Sequence, residues 1–187
     1  MVTPQAAHIS GALCASIRGI DRVTRASTLK ARRISLDDDL LNLVEEINRA
    51  SWDEANEMCE YDIESLRAYL ERQDTVFIAC HEYSEPRPVL LGIASSRLEI
   101  KPYGKELWLY VDEVDVCADH RTKGVGKLIM QTLIEIAEKE GCEEVWLGTE
   151  LDNAPANALY RSLGPDNVSN VIGYTFETDE WRPASDA

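Results

Sequence analysis

The chain has 187 residues, is 44% hydrophobic and carries a formal net charge of −15. That is room for one globular domain with a tail, and no apolar run approaches the roughly 20 residues of a membrane-spanning helix. The charge is uneven: residues 1–33 hold six Lys/Arg and one acid, Asp21, while the rest holds 13 Lys/Arg against 33 Asp/Glu, a body of −20 that repels nucleic acid and anionic membranes and attracts polycations.

Residues 1–27 are rich in Ala, Ser and Arg and almost free of acids. That composition resembles an organelle transit peptide, or a stretch ahead of a misassigned start. It sets an N-terminal extension, 1–27, apart from a folded domain, 28–187. A cytoplasmic location is expected, or an organellar one if the extension is a transit peptide. The five cysteines, Cys14, Cys59, Cys80, Cys117 and Cys142, form no CxxC pair, so idle thiols in a reducing compartment are expected, with no metal site and no disulfide framework.

In chain order, "TLKARRI" reads as a first strand. "LDDDLLNLVEEINRASWDEA" is an amphipathic helix, with Leu40, Leu41, Val44, Ile47 and Trp52 at helical spacing and Asp37 to Asp39 at its start, where the dipole favours acids. "DIESLRAYLERQ" is a second helix. "TVFIACHEY", "VLLGIASSRLEI" and "ELWLYVDEVDVC" are strands, separated by the turns "SEPRP" and "KPYGK". After "RTKGVG" comes a helix with a stripe of Val125, Leu128, Ile129, Leu133 and Ile136. "EEVWLGTE" is a strand, "NAPANALYRSLG" a helix stopped by Gly164 and Pro165, and "VSNVIGYTFET" a last strand. Strand–helix–strand over 106–150 predicts a parallel pair. The class is α/β (α+β), with a mixed sheet of about six to seven strands and about four helices.

The loop Arg121–Lys127 carries the strongest signal. Gly124 and Gly126 let backbone come close to a ligand, the following helix offers a positive N-terminus, and Arg121, Lys123 and Lys127 add cations to an acidic chain. Two familiar phosphate motifs fail. A P-loop needs glycine where Arg121 stands and Ser/Thr where Leu128 stands, and the dinucleotide fingerprint needs glycine where Ile129 stands.

The spacing Arg121-x-x-Gly124-x-Gly126, after a strand rich in Val and Asp, resembles motif A of the GNAT acetyltransferases. Asn153, Ala156, Leu159, Tyr160 and Gly164 match that superfamily's second signature helix. The resemblance spans about residues 28–180, with one departure at Pro165, where many members have Phe. "LYVDEVDVCADHRTKGVG" and "GTELDNAPANALYRSLG" look most like the class I aminoglycoside 3-N-acetyltransferases. The resemblance implies acetyl-CoA as cosubstrate and direct attack by an amine in a ternary complex. It also implies that the amides of Arg121, Thr122, Lys123, Gly124, Val125, Gly126 and Lys127 hold the pyrophosphate. The backbone of Val114 and Val116 would then engage the thioester and pantetheine, with Asn153 bonding the pantetheine or the substrate. Tyr160 stands where the family places the acid that protonates the departing thiolate.

Strand alternation puts Glu113 and Asp115 side by side, opposite Val114 and Val116. If that face lines the cleft, the two acids bind a cationic amine and one accepts its proton; the position of Glu113 matches the subfamily's acidic residue. Glu150 and Asp152, at the end of the next strand, would add negative charge. The expected function is acetylation of a small polycationic amine, most like an aminoglycoside, with a homodimer compatible. A protein N-terminal or lysine acetyltransferase and a non-enzymatic acyl-CoA module are the alternatives.

Overall fold

The computed structural model describes residues 28–53, 58–83, 87–176 and 178; the N-terminal extension lies outside them. The chain order is β1 (Leu29–Arg33), α1 (Leu40–Arg49), α2 (Ile63–Glu71), β2 (Thr75–Glu82), β3 (Val89–Ile100), β4 (Leu107–Val116), α3 (Val125–Glu140), β5 (Glu144–Trp146) and α4 (Ala154–Arg161). The strands form one sheet in sequence order, antiparallel throughout except for the parallel β4–β5 pair that α3 connects.

The sheet has helices on both faces, and β2 shows why its sequence is almost uninterrupted in apolar residues. Val76, Ile78 and Cys80 join the core beneath α3, with Ile129, Met130 and Leu133. Phe77 and Ala79 join a second core with Leu40, Leu43, Val44 and Ile47 of α1 and Leu66 of α2. A strand buried on both faces has no polar side to show. α1, α2 and α4 each begin at a side-chain cap: Asp39, Asp62 and Asn153 accept from the backbone N–H three residues on.

Five strands form among the described residues, fewer than the expected six to seven. "EEVWLGTE" pairs only over Glu144–Trp146. Val168–Phe176, read as a final strand, takes no regular structure, and Val171, Ile172, Tyr174 and Phe176 stand exposed. Its β-prone residues carry the strand signal, but local propensity provides no partner for their backbone groups. Helix α1 stops at Arg49, short of Trp52, whose indole N–H turns back to the carbonyl of Ile47 at 2.8 Å.

Two register shifts interrupt the sheet, one at Cys80/His81 between β2 and β3 and one at Ser95/Ser96 between β3 and β4. At the second, Ser96 faces Val111 and Ser95 faces Glu113, so Asp112 is an extra residue. A bulge of this kind reverses the alternation of the strand. Leu109 and Val111 face the α3 core before it, and Val114 and Val116 face that core after it. Glu113 and Asp115 are thereby turned to the opposite face.

Candidate active site

β4 and β5 pair over only three residues, ending at Tyr110 and Trp146. Beyond that point a cleft of about 1340 Å³ opens, lined by Val111–Val116 of β4 and by Leu147–Glu150, the segment that follows β5. The N-terminal turn of α3, the helix α4 and the segment Met58–Asp62 complete its walls.

The turn into α3 differs from the other helix starts. Its cap is Gly124, in the left-handed region at φ 87°, and among the described residues no side chain caps the first amides of the helix. The first N–H groups of a helix have no intrahelical partner, so these amides are available to an anion. Thr122 is also left-handed, at φ 60°, and its hydroxyl donates to the carbonyl of Arg121 at 2.7 Å. Gly126 has a different role from Gly124: a Cβ there would sit 2.9 Å from Leu159 Cδ2 of α4, so its small size lets the two helices meet.

Thirteen of the sequence-derived site residues line the cleft: Glu113 to Val116, Arg121, Thr122, Gly124 to Lys127, Glu150, Asn153 and Tyr160. Lys123 and Asp152 are not among the lining residues. The Lys123 ammonium donates to the carbonyl of Asp119 at 2.7 Å, holding the loop together, and Asp152 sits exposed in the turn before α4. Asn153 lines the cleft, but its Oδ1 accepts from the Ala156 N–H at 3.2 Å, which makes it the cap of α4. Arg121 is ion-paired with Asp53, so the loop's leading guanidinium arrives already oriented.

Burial and the neighbouring charges of Asp115 and Asp112 raise the carboxyl of Glu113 above its usual range. Burial, with a smaller push from Asp115, raises the hydroxyl of Tyr160 and keeps it protonated. Burial pushes the Cys117 thiol up to about 11, and its buried sulfur lies against the carbonyl of Leu90, so it is a poor nucleophile. His81 is turned to Glu46, with Nε2 and Oε2 3.0 Å apart, and is not a cleft residue.

Among the cleft residues that the sequence does not mark as site residues, three stand out for their contacts. Tyr61 is pushed up to about 12 by burial and then by the charges of Glu113 and Asp115. Its backbone is gripped at both ends by the Asn48 side chain, at 2.8 and 2.9 Å. Tyr69 donates to the Ser96 carbonyl at 2.8 Å and accepts from the Ser96 N–H at 3.1 Å, bracing β3 at the bulge. Asp53 is the third. Each is joined to the site by contacts between distant segments, for which one sequence carries no local signal.

The model of the acetyltransferase (GNAT) family matches residues 38–164, and the chain belongs to that family. It is 28% identical to N-acetyltransferase family 8 member 3 of Rattus norvegicus over 127 residues, 67% of this chain and 54% of the relative. It is 39% identical to the [Ribosomal protein bS18]-alanine N-acetyltransferase of Escherichia coli strain K12 over 66 residues, 35% of this chain and 45% of that protein. The chain thus spans about half the length of the curated relatives it matches. Among solved structures, an aminoglycoside acetyltransferase from an uncultured soil metagenomic sample, in complex with sisomicin, has the same fold at a TM-score of 0.69 and 19% identity. That likeness covers 80% of this chain and 96% of the other.

Proposed function

We propose that this protein transfers the acetyl group of acetyl-CoA to an amine of a small polycationic acceptor, of which an aminoglycoside is the best-matched class. The observation that carries the proposal is the juxtaposition, in one cleft, of a helix N-terminus whose cap offers no side chain with two adjacent carboxylates and a protonated tyrosine. The anionic pyrophosphate belongs at the amides of Gly124 to Lys127, with Arg121 beside them. The polycation belongs at Glu113, Asp115 and Glu150.

The chemistry follows from what an ammonium lacks. It has no lone pair, so it first loses a proton to Glu113, directly or through water; the raised pKa of Glu113 brings it closer to the amine's and makes it the stronger base. The free amine attacks the thioester carbonyl, and the tetrahedral oxyanion takes a hydrogen bond from the backbone of β4 around Val114. The C–S bond breaks as Tyr160 gives its proton to the departing sulfur and the new amide nitrogen loses its second proton to solvent; Tyr160 then regains a proton and Glu113 releases the one it took, a net release of one proton. A module that only bound acyl-CoA would need neither Tyr160 nor the acids.

Release of free thiol with acetyl-CoA and a panel of aminoglycosides, polyamines and peptides tests this reading. An aminoglycoside acetylated with the highest kcat/KM supports it, and the acetylated nitrogen, expected from the sequence resemblance to be the 3-amino group, is read from the product. The similarity to the bS18-alanine acetyltransferase favours protein acetylation as the second reading; peptides preferred over every polyamine would establish that one in its place.

A further inference from the structure

The sheet face opposite α3 carries a row of three rings that this reaction does not use. Trp108 and Tyr110 of β4 stack with centroids 6.0 Å apart, and Tyr110 meets Trp146 of β5 at 5.4 Å. Leu109, Val111 and Val145 pack toward the α3 core, so the rings between them point the other way. The second core, under α1 and α2, takes its sheet residues from β2 and β3.

Two of the rings are already covered. Lys101 Nζ lies 4.3 Å from the centroid of Trp108 and 4.6 Å from that of Tyr110, and donates to the Tyr110 hydroxyl at 2.6 Å. Arg97 lies 5.5 Å from the Tyr110 centroid. Trp146 has neither cation on it and is 37% exposed. A Cβ built on Gly148 would be 3.4 Å from Trp146 Cη2, so the indole lies along Gly148, which lines the cleft together with Leu147, Thr149 and Glu150. The ring therefore lies at the edge of the cleft, against Gly148. The two cations over the other rings are themselves ion-paired, Arg97 with Asp112 at 2.5 Å and Lys101 with Glu99 at 3.2 Å.

We propose that Trp146 is a stacking platform for a second saturated ring of the acceptor, an amino-sugar ring whose C–H face lies on the indole while another ring presents its amine to Glu113 and Asp115. This rests on the acceptor reading above. A flat, rigid, apolar surface at the edge of a cleft that holds Glu113, Asp115 and Glu150 suits such a ring, which is apolar on its faces and cationic at its edge.

The test compares kanamycin, with several rings, and 2-deoxystreptamine, with one, in the wild type and Trp146→Ala, by thiol release and by calorimetry on the CoA-saturated protein. An aromatic contact of this kind predicts that kcat/KM for kanamycin falls about 3- to 10-fold, through KM, and that its Kd rises in step. The advantage of kanamycin over 2-deoxystreptamine should shrink by the same factor, and Trp146→Phe should restore most of it. Equal losses on both acceptors, or none on either, would overturn the platform. So would a change from dimer to monomer in Trp146→Ala with kanamycin affinity intact, because the face would then belong to a second copy. If Trp146→Ala does not fold, Trp146→Leu carries the comparison. A wild type that acetylates no amine at all sinks the acceptor reading itself, and calorimetry with kanamycin still decides the platform.

Discussion

The sharpest test of how the fold positions this site lies at a residue outside the cleft, Gly92 on β3. It pairs with Cys80 on one side and Val116 on the other. A Cβ on Gly92 would lie 2.6 Å from the backbone oxygen of Asp115, 3.0 Å from Ile129 Cδ1 and 3.2 Å from Val125 Cγ1. Opening the first contact to an ordinary separation of roughly 3.4 Å moves β4 by about 0.8 Å relative to β3. The atom in the way is backbone, so no rotamer change relieves it. The strand that shifts carries Glu113 and Asp115, and the helix pushed with it begins at the turn proposed to hold the pyrophosphate. Overpacking of this kind costs about 1–3 kcal/mol, which for a chain of this length lowers Tm by roughly 2–10 °C. A displacement approaching 1 Å at reacting groups costs up to about 100-fold in rate. Gly92→Ala should therefore unfold several degrees lower, by thermal denaturation followed by circular dichroism. Its kcat/KM should fall by about 10- to 100-fold under conditions where it is fully folded. A wild-type Tm would refute the close approach. A lowered Tm with unchanged kcat/KM would show that β3 does not set the position of the acids proposed to act on β4.

Tyr160→Phe should lower kcat by about 10²–10⁴ while leaving the Kd of acetyl-CoA nearly unchanged, as single-turnover kinetics and calorimetry would report; an unchanged chemical step would return Tyr160 to packing alone. Glu113→Gln should lose turnover and the acid limb of the pH–rate profile. Because the folded state raises the Glu113 pKa, its contribution to stability is present below the unfolded value and is lost as pH rises through the folded one. Glu113→Gln should thus melt at or above wild type near pH 7–8, with the difference vanishing below about pH 4. A lower Tm at neutral pH would show that Glu113 makes a stabilising contact instead. Asp115→Asn should raise the KM of a polycationic amine and flatten its salt dependence, because the lost attraction is screened over about 8–10 Å. It should also move the acid limb to lower pH, since the charge of Asp115 helps to raise Glu113; a KM equally sensitive to salt in variant and wild type would contradict this.

Much of this molecule was legible in its sequence where structure depends on neighbours along the chain. The segment "VLLGIASSRLEI" is β3 from end to end, the stripe of α3 gives Val125, Ile129 and Leu133 in the core, and the apolar run of β2 follows from burial on both faces. The glycine turn stands out in the sequence because two glycines and three cations open a helix, and the structure adds that Gly124 takes a left-handed φ few other residues adopt. The cleft itself was decided by long-range contacts. Nothing local in "YVDEVDV" says that Asp112 is an extra residue opposite β3; the change of phase between Val111 and Val114 acquires meaning only once a partner strand fixes the register. Nothing local places Asp53 on Arg121, or ties Tyr61 to Asn48 across thirteen residues. Conversely, Val168–Phe176 has strand residues without a strand, because a sheet hydrogen bond needs a second chain segment, and propensity specifies only one. Residue type and periodicity are properties of a segment. The parting of β4 from β5 after three pairs, which makes room for a substrate, is a property of how segments meet.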